Sequence, residues 1–189
     1  MLVKNENGKI TDGKKILPSF QLGATAEFPI IDDFSFTTGL LFSRKGTLIE
    51  QNETMYDMDF EFYEKLNLSY LDIPLTGKFV FDYRGLVLYG QSGPCVSIGI
   101  GGKHTYRNNF GGWGVDEGED VRWGSDANND FIKRFDFGWF MGVGIEKGPI
   151  VVGVGYNMGL KNVSAYTGDG KVLRNRVTEI TVGYKISTN

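Results

Sequence analysis

The chain has 189 residues, enough for one domain with a sizeable core, and a formal net charge of −3. That balance carries no basic excess of the kind nucleic acid requires and no acidic tail, so no nucleic-acid partner is expected. One cysteine (Cys95) excludes an internal disulfide framework, and with one histidine (His104) there is no zinc-ligand set, so no cofactor is expected.

The stretch after Met1 has no apolar signal-peptide core, and residues 1–15 are rich in Lys, Asn, Gly and Asp with no strand pattern. From residue 19 the apolar positions recur with period two, the mark of strands with two unlike faces. Phe20, Leu22, Ala24, Ala26 and Phe28 oppose Ser19, Gln21, Gly23, Thr25 and Glu27. In 34–45, Phe34, Phe36, Thr38, Leu40 and Phe42 oppose Ser35, Thr37, Gly39, Leu41, Ser43 and Lys45. Residues 66–81 read as a strand whose phase switches near Tyr70-Leu71, as a bulge would cause, with Leu71, Ile73, Leu75, Phe79 and Phe81 opposite Asp72, Thr76 and Lys78. In 86–100, Leu86, Leu88, Val96, Ile98 and Ile100 oppose Tyr89, Gln91, Gly93, Cys95 and Ser97. The alternation is cleanest in 134–146, where Phe135, Phe137, Trp139, Met141, Val143 and Ile145 interleave with Asp136, Gly138, Phe140, Gly142, Gly144 and Glu146. Segments 150–160 and 176–187 repeat it, with Val152 and Val182 on their apolar faces and Glu179 and Lys185 on the small, polar face of the last.

About seven strands result, mostly longer than the roughly 5–6 residues usual in soluble proteins and matched to the roughly 9–11 that a tilted strand needs to cross a bilayer. Short turns at 31–33, 82–85 and 147–149 alternate with long polar stretches, roughly 46–65, 101–133 and 161–175, read as loops. Short periplasmic turns and long extracellular loops are the habit of outer-membrane barrels. The fold class expected is therefore all-β: an antiparallel up-and-down transmembrane β-barrel in contact with outer-membrane lipid. Strand parity makes the first and last strands run the same way. An even-stranded barrel then needs one more strand, so eight are expected in the parent protein. Residues 1–15 would be a remnant of an extracellular loop in a single domain over 1–189, with the first strand and signal peptide upstream.

In such a barrel the apolar face meets lipid and the other fills the lumen. The lumen set expected is Glu27, Asp72, Asp136, Glu146 and Glu179 against Lys45, Lys78, Arg134, Lys161 and Lys185, five acids and five bases. Eight strands enclose only enough room for side chains to fill. The 27 glycines, about twice the roughly 7% average, fit close packing across that narrow interior. A packed polar lumen is expected rather than an open pore.

The segment Tyr70-Leu71-Asp72-Ile73-Pro74-Leu75 resembles a strand of the PorT-like outer-membrane β-barrel family of Bacteroidetes-type bacteria. So do Gly39 to Gly46, Gly90-Gln91-Ser92-Gly93-Pro94, Phe135-Asp136-Phe137-Gly138 through Glu146, and Tyr156 to Asn162, and also Arg174-Asn175-Arg176 with Gly183-Tyr184-Lys185. In order and spacing these cover about residues 19–187. The resemblance implies an eight-stranded barrel in a Gram-negative outer membrane, preceded by a cleaved signal; it does not imply one function.

Two other readings stay open. One is a soluble lipocalin-like barrel whose apolar residues line a cavity for a small ligand. The other is a membrane-barrel hydrolase in which His104 pairs with Ser97 or Asp136. The acids Asp116, Glu117, Glu119, Asp120, Asp126 and Asp130 offer oxygen ligands for calcium but lack the EF-hand spacing. Trp113 and Trp123 flank them as candidates for recognition of a protein or ligand outside the cell.

Overall fold

The computed structural model describes the backbone of residues 2–4, 14–15, 20–55, 58–110, 113–126, 132–165 and 172–186, and side chains within 20–48, 63–107, 117–126, 132–165 and 172–186. The strands are β1 (Leu2–Lys4), β2 (Lys14–Lys15), β3 (Gln21–Ile31), β4 (Phe34–Met55), β5 (Met58–Tyr83), β6 (Leu86–Phe110), β7 (Trp113–Asp120), β8 (Phe135–Lys147), β9 (Ile150–Gly159), β10 (Val172–Arg174) and β11 (Arg176–Tyr184). No helix interrupts them among the described residues.

Seven long strands form one antiparallel meander in the spatial order β11-β9-β8-β6-β5-β4-β3, so the all-β class holds. The turns joining them at one end are tight. At the β5–β6 turn, Arg84 (φ 56°) and Gly85 (φ 80°) both take left-handed backbone, which matches the twist of a two-residue hairpin. The Asp82 carboxylate accepts from the Gly85 N–H at 3.2 Å.

The sheet curls but does not close. Asn175, just before β11, donates to the Tyr70 hydroxyl of β5 at 3.4 Å, across the concave side. β3 and β11 are left as edges, and both descend from the long-connection end toward the tight turns. Joined directly, they would have to pair in parallel.

The two sides of the curled sheet differ as the alternation predicts. Leu22 (74% exposed), Val182 (76%) and Ile180 (78%) stand on the convex side, with Trp139, Val143 and Val152 also exposed there. Phe36 and Ile73 are half-buried on the same side. Near the tight turns the band ends in Phe79, Phe81, Tyr83 and Tyr184, all exposed. Toward the other end the convex residues turn polar at Arg44, Ser69 and Lys103.

Two sequence expectations need correction. Residues 46–55, 58–65, 101–110 and 113–120 lie in strands and not in loops. β4, β5 and β6 run on for 22, 26 and 25 residues, paired down to Met55↔Met58 and Phe60↔Phe110, and β7 adds a fourth strand to this ribbon. In this ribbon backbone pairing continues although the sequence carries no sustained apolar alternation. β5 has no phase switch either. Leu68, Tyr70, Asp72, Thr76 and Lys78 are all buried on the concave side. The register slips on β6, where Ser69 pairs with Gly101 but Tyr70 with Gly99, leaving Ile100 as the extra residue. Residues 1–15 are described only at 2–4 and 14–15. β1 pairs with β10 and β2 with β4, both at the long-connection end.

Candidate functional site: the filled interior and its apolar cap

The concave side carries two tiers of charge. In the tier nearer the tight turns, Lys78 Nζ on β5 donates to Glu27 on β3 at 2.8 Å and to Glu146 on β8. Lys185 reaches the same carboxylates, Glu146 at 3.1 Å and Glu27 at 3.3 Å, and Ser35 donates to Glu27 at 2.8 Å. The Lys78 ammonium also lies over the Tyr89 ring, 4.8 Å from its centroid.

The second tier lies farther up. Lys45 Nζ donates to Asp72 at 2.8 Å and to the Ser97 hydroxyl at 3.1 Å. Ser43 and Gln21 donate to the other Asp72 oxygen at 2.6 and 3.2 Å. Asp136 accepts from Asn175 at 2.6 Å and from the Phe137 N–H at 2.8 Å. Buried charge is tolerated only with such pairing, because each ion forfeits hydration worth several kcal/mol. Glu179 is half-buried on the same side and makes no ion pair within 4 Å with a described residue.

Aromatic side chains fill the space between and above the ions. Phe140 lies on the glycines of β8 and β9, and a β-carbon added at Gly155 would come within 2.6 Å of its ring. Tyr89 covers Gly144 and Gly153 in the same manner. The glycine surplus thus makes room for inward rings.

Above the second tier the interior becomes apolar. Leu68, Tyr70, Val121, Ile132 and Val163 form a buried cluster with Leu66, Trp123 and Leu173 packed on it. Val121, Ile132 and Val163 belong to the long connections, which fold over the mouth. Backbone bonds tie them down: Val121 N–H to the Gly102 carbonyl at 3.0 Å, Lys133 N–H to Val163 at 2.7 Å, and Val163 N–H to Leu173 at 2.9 Å. This cap explains the apparent switch in β5, since Leu66 and Leu68 face an apolar lid, and Tyr70 packs against that lid while the Lys45 ammonium lies over its ring, 4.9 Å from the centroid.

The structure therefore brings Glu27, Lys78, Glu146 and Lys185 together, and Lys45 with Asp72. Asp136 joins Asn175, a partner that sequence reasoning missed, and Tyr70 and Tyr89 were not foreseen as its aromatic neighbours. Arg134 and Lys161 are exposed at the rim, in bends just before β8 and just after β9, where their long side chains reach water. They leave the interior set. Trp123 is not displayed for recognition: its indole meets Tyr70 edge-on at 5.4 Å and lies on Gly99. The Trp113 side chain and Asp130 lie outside the described residues.

His104 is not placed for hydrolysis. Its Nε2 is 2.9 Å from Glu64 on β5, and Nδ1 is 3.9 Å from Glu119 on β7, while Ser97 accepts from Lys45 and Asp136 holds Asn175. The hydrogen bond to Glu64 raises the His104 pKa above its ordinary value, against the opposing effect of partial burial. On the same ribbon Tyr106 donates to Glu117 at 2.8 Å. Strand β7 thus spaces the acids along an edge, and no group of three His, Cys, Asp or Glu side chains converges as a metal set among the described residues. The lipocalin-like reading also falls, because the concave side is filled by ion pairs, inward rings and the apolar cap, while the alternating band of Leu22, Trp139, Val143, Val152, Ile180 and Val182 is exposed on the other side.

Residues 2–165 match the family described as Outer membrane protein beta-barrel domain. The chain belongs to that family. The family's location is a bacterial outer membrane. No curated protein and no solved structure matches the chain.

Proposed function

We propose that this outer-membrane β-barrel protein is a non-enzymatic, non-conducting anchor in a Gram-negative envelope, and that its working surface is the ribbon of β4 to β7. The observation that carries the reading is the overshoot of β4, β5 and β6, at 22, 26 and 25 residues, beyond the roughly 9–11 needed to span a bilayer. Nothing in membrane anchoring requires that excess. A long paired ribbon above a filled interior presents edges and side chains to a protein or ligand outside the cell. The PorT-like resemblance agrees with a secretion- or envelope-related role of this kind.

The direct test is topological. Lys103→Cys on β6, at an exposed position, is expected to react with a membrane-impermeant maleimide on intact cells, with the buried Cys95 silent. Labelling only after the outer membrane is permeabilised would refute the outward ribbon. In planar lipid bilayers the purified protein is expected to give no porin-sized steps. Stable open channels would refute the closed interior.

The same reading includes an eighth strand. Because β3 and β11 descend together, one ascending strand between them is antiparallel to both and closes the barrel. β1 supports an upstream source. It ascends against β10 with Leu2↔Arg174 and Lys4↔Val172, so chain leading into Leu2 on that line lies along the free edge of β11.

A further inference from the structure

The inner face of the open sheet is short of positive charge. Among its described side chains are Glu27, Asp72, Asp136, Glu146 and Glu179 against Lys45, Lys78 and Lys185, five acids to three bases. The three lysines are committed: Lys45 to Asp72, and Lys78 and Lys185 to the Glu27–Glu146 pair. The remaining acids, Asp136 and Glu179, lie toward the β11 side, Asp136 through its bond to Asn175 and Glu179 on β11 itself.

A second observation marks the same edge. Asn175 is 3% exposed, and its Oδ1 has no hydrogen-bond partner among the described residues although its Nδ2 is engaged. A buried acceptor without a donor and a carboxylate without a cation both leave the edge incompletely satisfied. Glu179 lies four residues farther along this edge on the same inner side, half-buried and with no cation within ion-pair distance among the described residues. What Glu179 lacks is a cationic donor.

We infer that the strand that seats on the open edge of β11 carries a lysine or arginine on its inner face, at the position paired with Glu179. The inference rests on the eighth-strand reading above and adds to it the chemistry of the occupant. Side chains directly opposite on paired strands share a face, with β-carbons about 4.5–5.5 Å apart. A basic residue there reaches Glu179 directly. The remaining inner positions of that strand are small or neutral, because Phe140 and Tyr89 already occupy the space over β8 and β9. Its alternate positions are apolar, to continue the lipid-facing band beside Thr178, Ile180 and Val182.

The test extends the chain ahead of Leu2 by a designed strand whose register is fixed by continuing the β1–β10 pairing onto β11. Outward positions are Leu or Val and inward positions Gly, Ser or Thr. Only the residue opposite Glu179 varies, as Lys, Gln or Glu. Each protein is folded into phosphatidylcholine vesicles and unfolded with urea, and the folding constant is read from the heat-modifiable band on gels. The Lys form is expected to exceed the Gln form by about tenfold, the worth of one charge-assisted hydrogen bond, with the Glu form lowest. Glu179→Gln in the same background is expected to erase the Lys advantage. Equal constants for the Lys and Gln forms, or a Lys advantage that survives Glu179→Gln, would overturn the inference. If all three extended chains fold no better than the unextended chain, the eighth strand itself is refuted and the inference falls with it.

Discussion

Lys185 and Glu27 come 3.3 Å apart although they belong to opposite edges of an open sheet. A lysine and a glutamate side chain end to end bridge roughly two interstrand spacings of about 4.8 Å. The contact therefore measures the seam as about one strand wide. Both residues keep some exposure, 39% and 25% for their side chains, so the pair is screened. Lys185→Met is expected to lower stability by no more than about 1 kcal/mol, with the loss shrinking further in high salt. Urea unfolding in vesicles at two salt concentrations measures it, and a large salt-independent loss would contradict this account.

The Lys45–Asp72 pair should behave otherwise. Both side chains are almost completely buried, and Asp72 also accepts from Ser43 and Gln21. Lys45→Met leaves that carboxylate without its cation and is expected to cost about 3–5 kcal/mol. The double variant Lys45→Met with Asp72→Leu removes both ions and is expected to recover much of the loss. Equilibrium unfolding of the two variants decides the matter: a double variant no better than the single one would mean that the pair acts through shape and not charge.

Phe140 and Gly155 form a ring and its seat. Gly155→Ala puts a methyl group where the Phe140 ring lies and is expected to cost about 1–3 kcal/mol through overpacking. Combined with Phe140→Leu, the same alanine should be tolerated better than in the parent background. Thermal loss of the compact, fast-migrating band reports both effects, and equal penalties in the two backgrounds would show that the contact is not the cause.

His104 gives the outer ribbon a pH dependence. Its folded pKa is raised, first by the hydrogen bond to Glu64 and also by the nearby Glu119. A raised folded pKa means that the stabilisation is fully present below the unfolded value of about 6.5 and is lost as pH rises through the folded value. Lys103, Lys65 and Arg107 are the basic residues beside it on the same ribbon. Amide protection over residues 101–120, corrected for intrinsic exchange rates, should be higher on the acid side of this window. His104→Gln should flatten the difference, and a profile unchanged by that variant would remove His104 as its source.

Much of the barrel was legible in the sequence because one physical demand repeats along each strand. Segments such as 135–147 face lipid on one side and a crowded interior on the other, and both demands write themselves into alternate residues. The ribbon was not legible because its residues carry no such sustained alternation, and its strands read as polar loop. The cap misled in a different way. Leu66, Leu68 and Tyr70 are apolar on the inner side because residues 121, 132 and 163, distant in sequence, lie over them. Only the fold could show that contact. The ionic residues were identifiable as a set from their face, but their partners were not. Which lysine meets which acid depends on curvature, and Arg134 and Lys161 were misplaced because alternation says nothing of where a strand ends.

The shared descent of β3 and β11 also orders events in time. Seven strands arranged this way cannot seal on one another by the antiparallel ladder used everywhere else in the sheet, so the seam stays unsatisfied while the remainder assembles. An exposed edge is a template for whichever strand arrives first, native or foreign. On the eighth-strand reading proposed above, biogenesis either delivers the closing strand last or shields the seam until it comes, and the seam to be shielded is the free backbone of Gln21–Ile31 and Arg176–Tyr184.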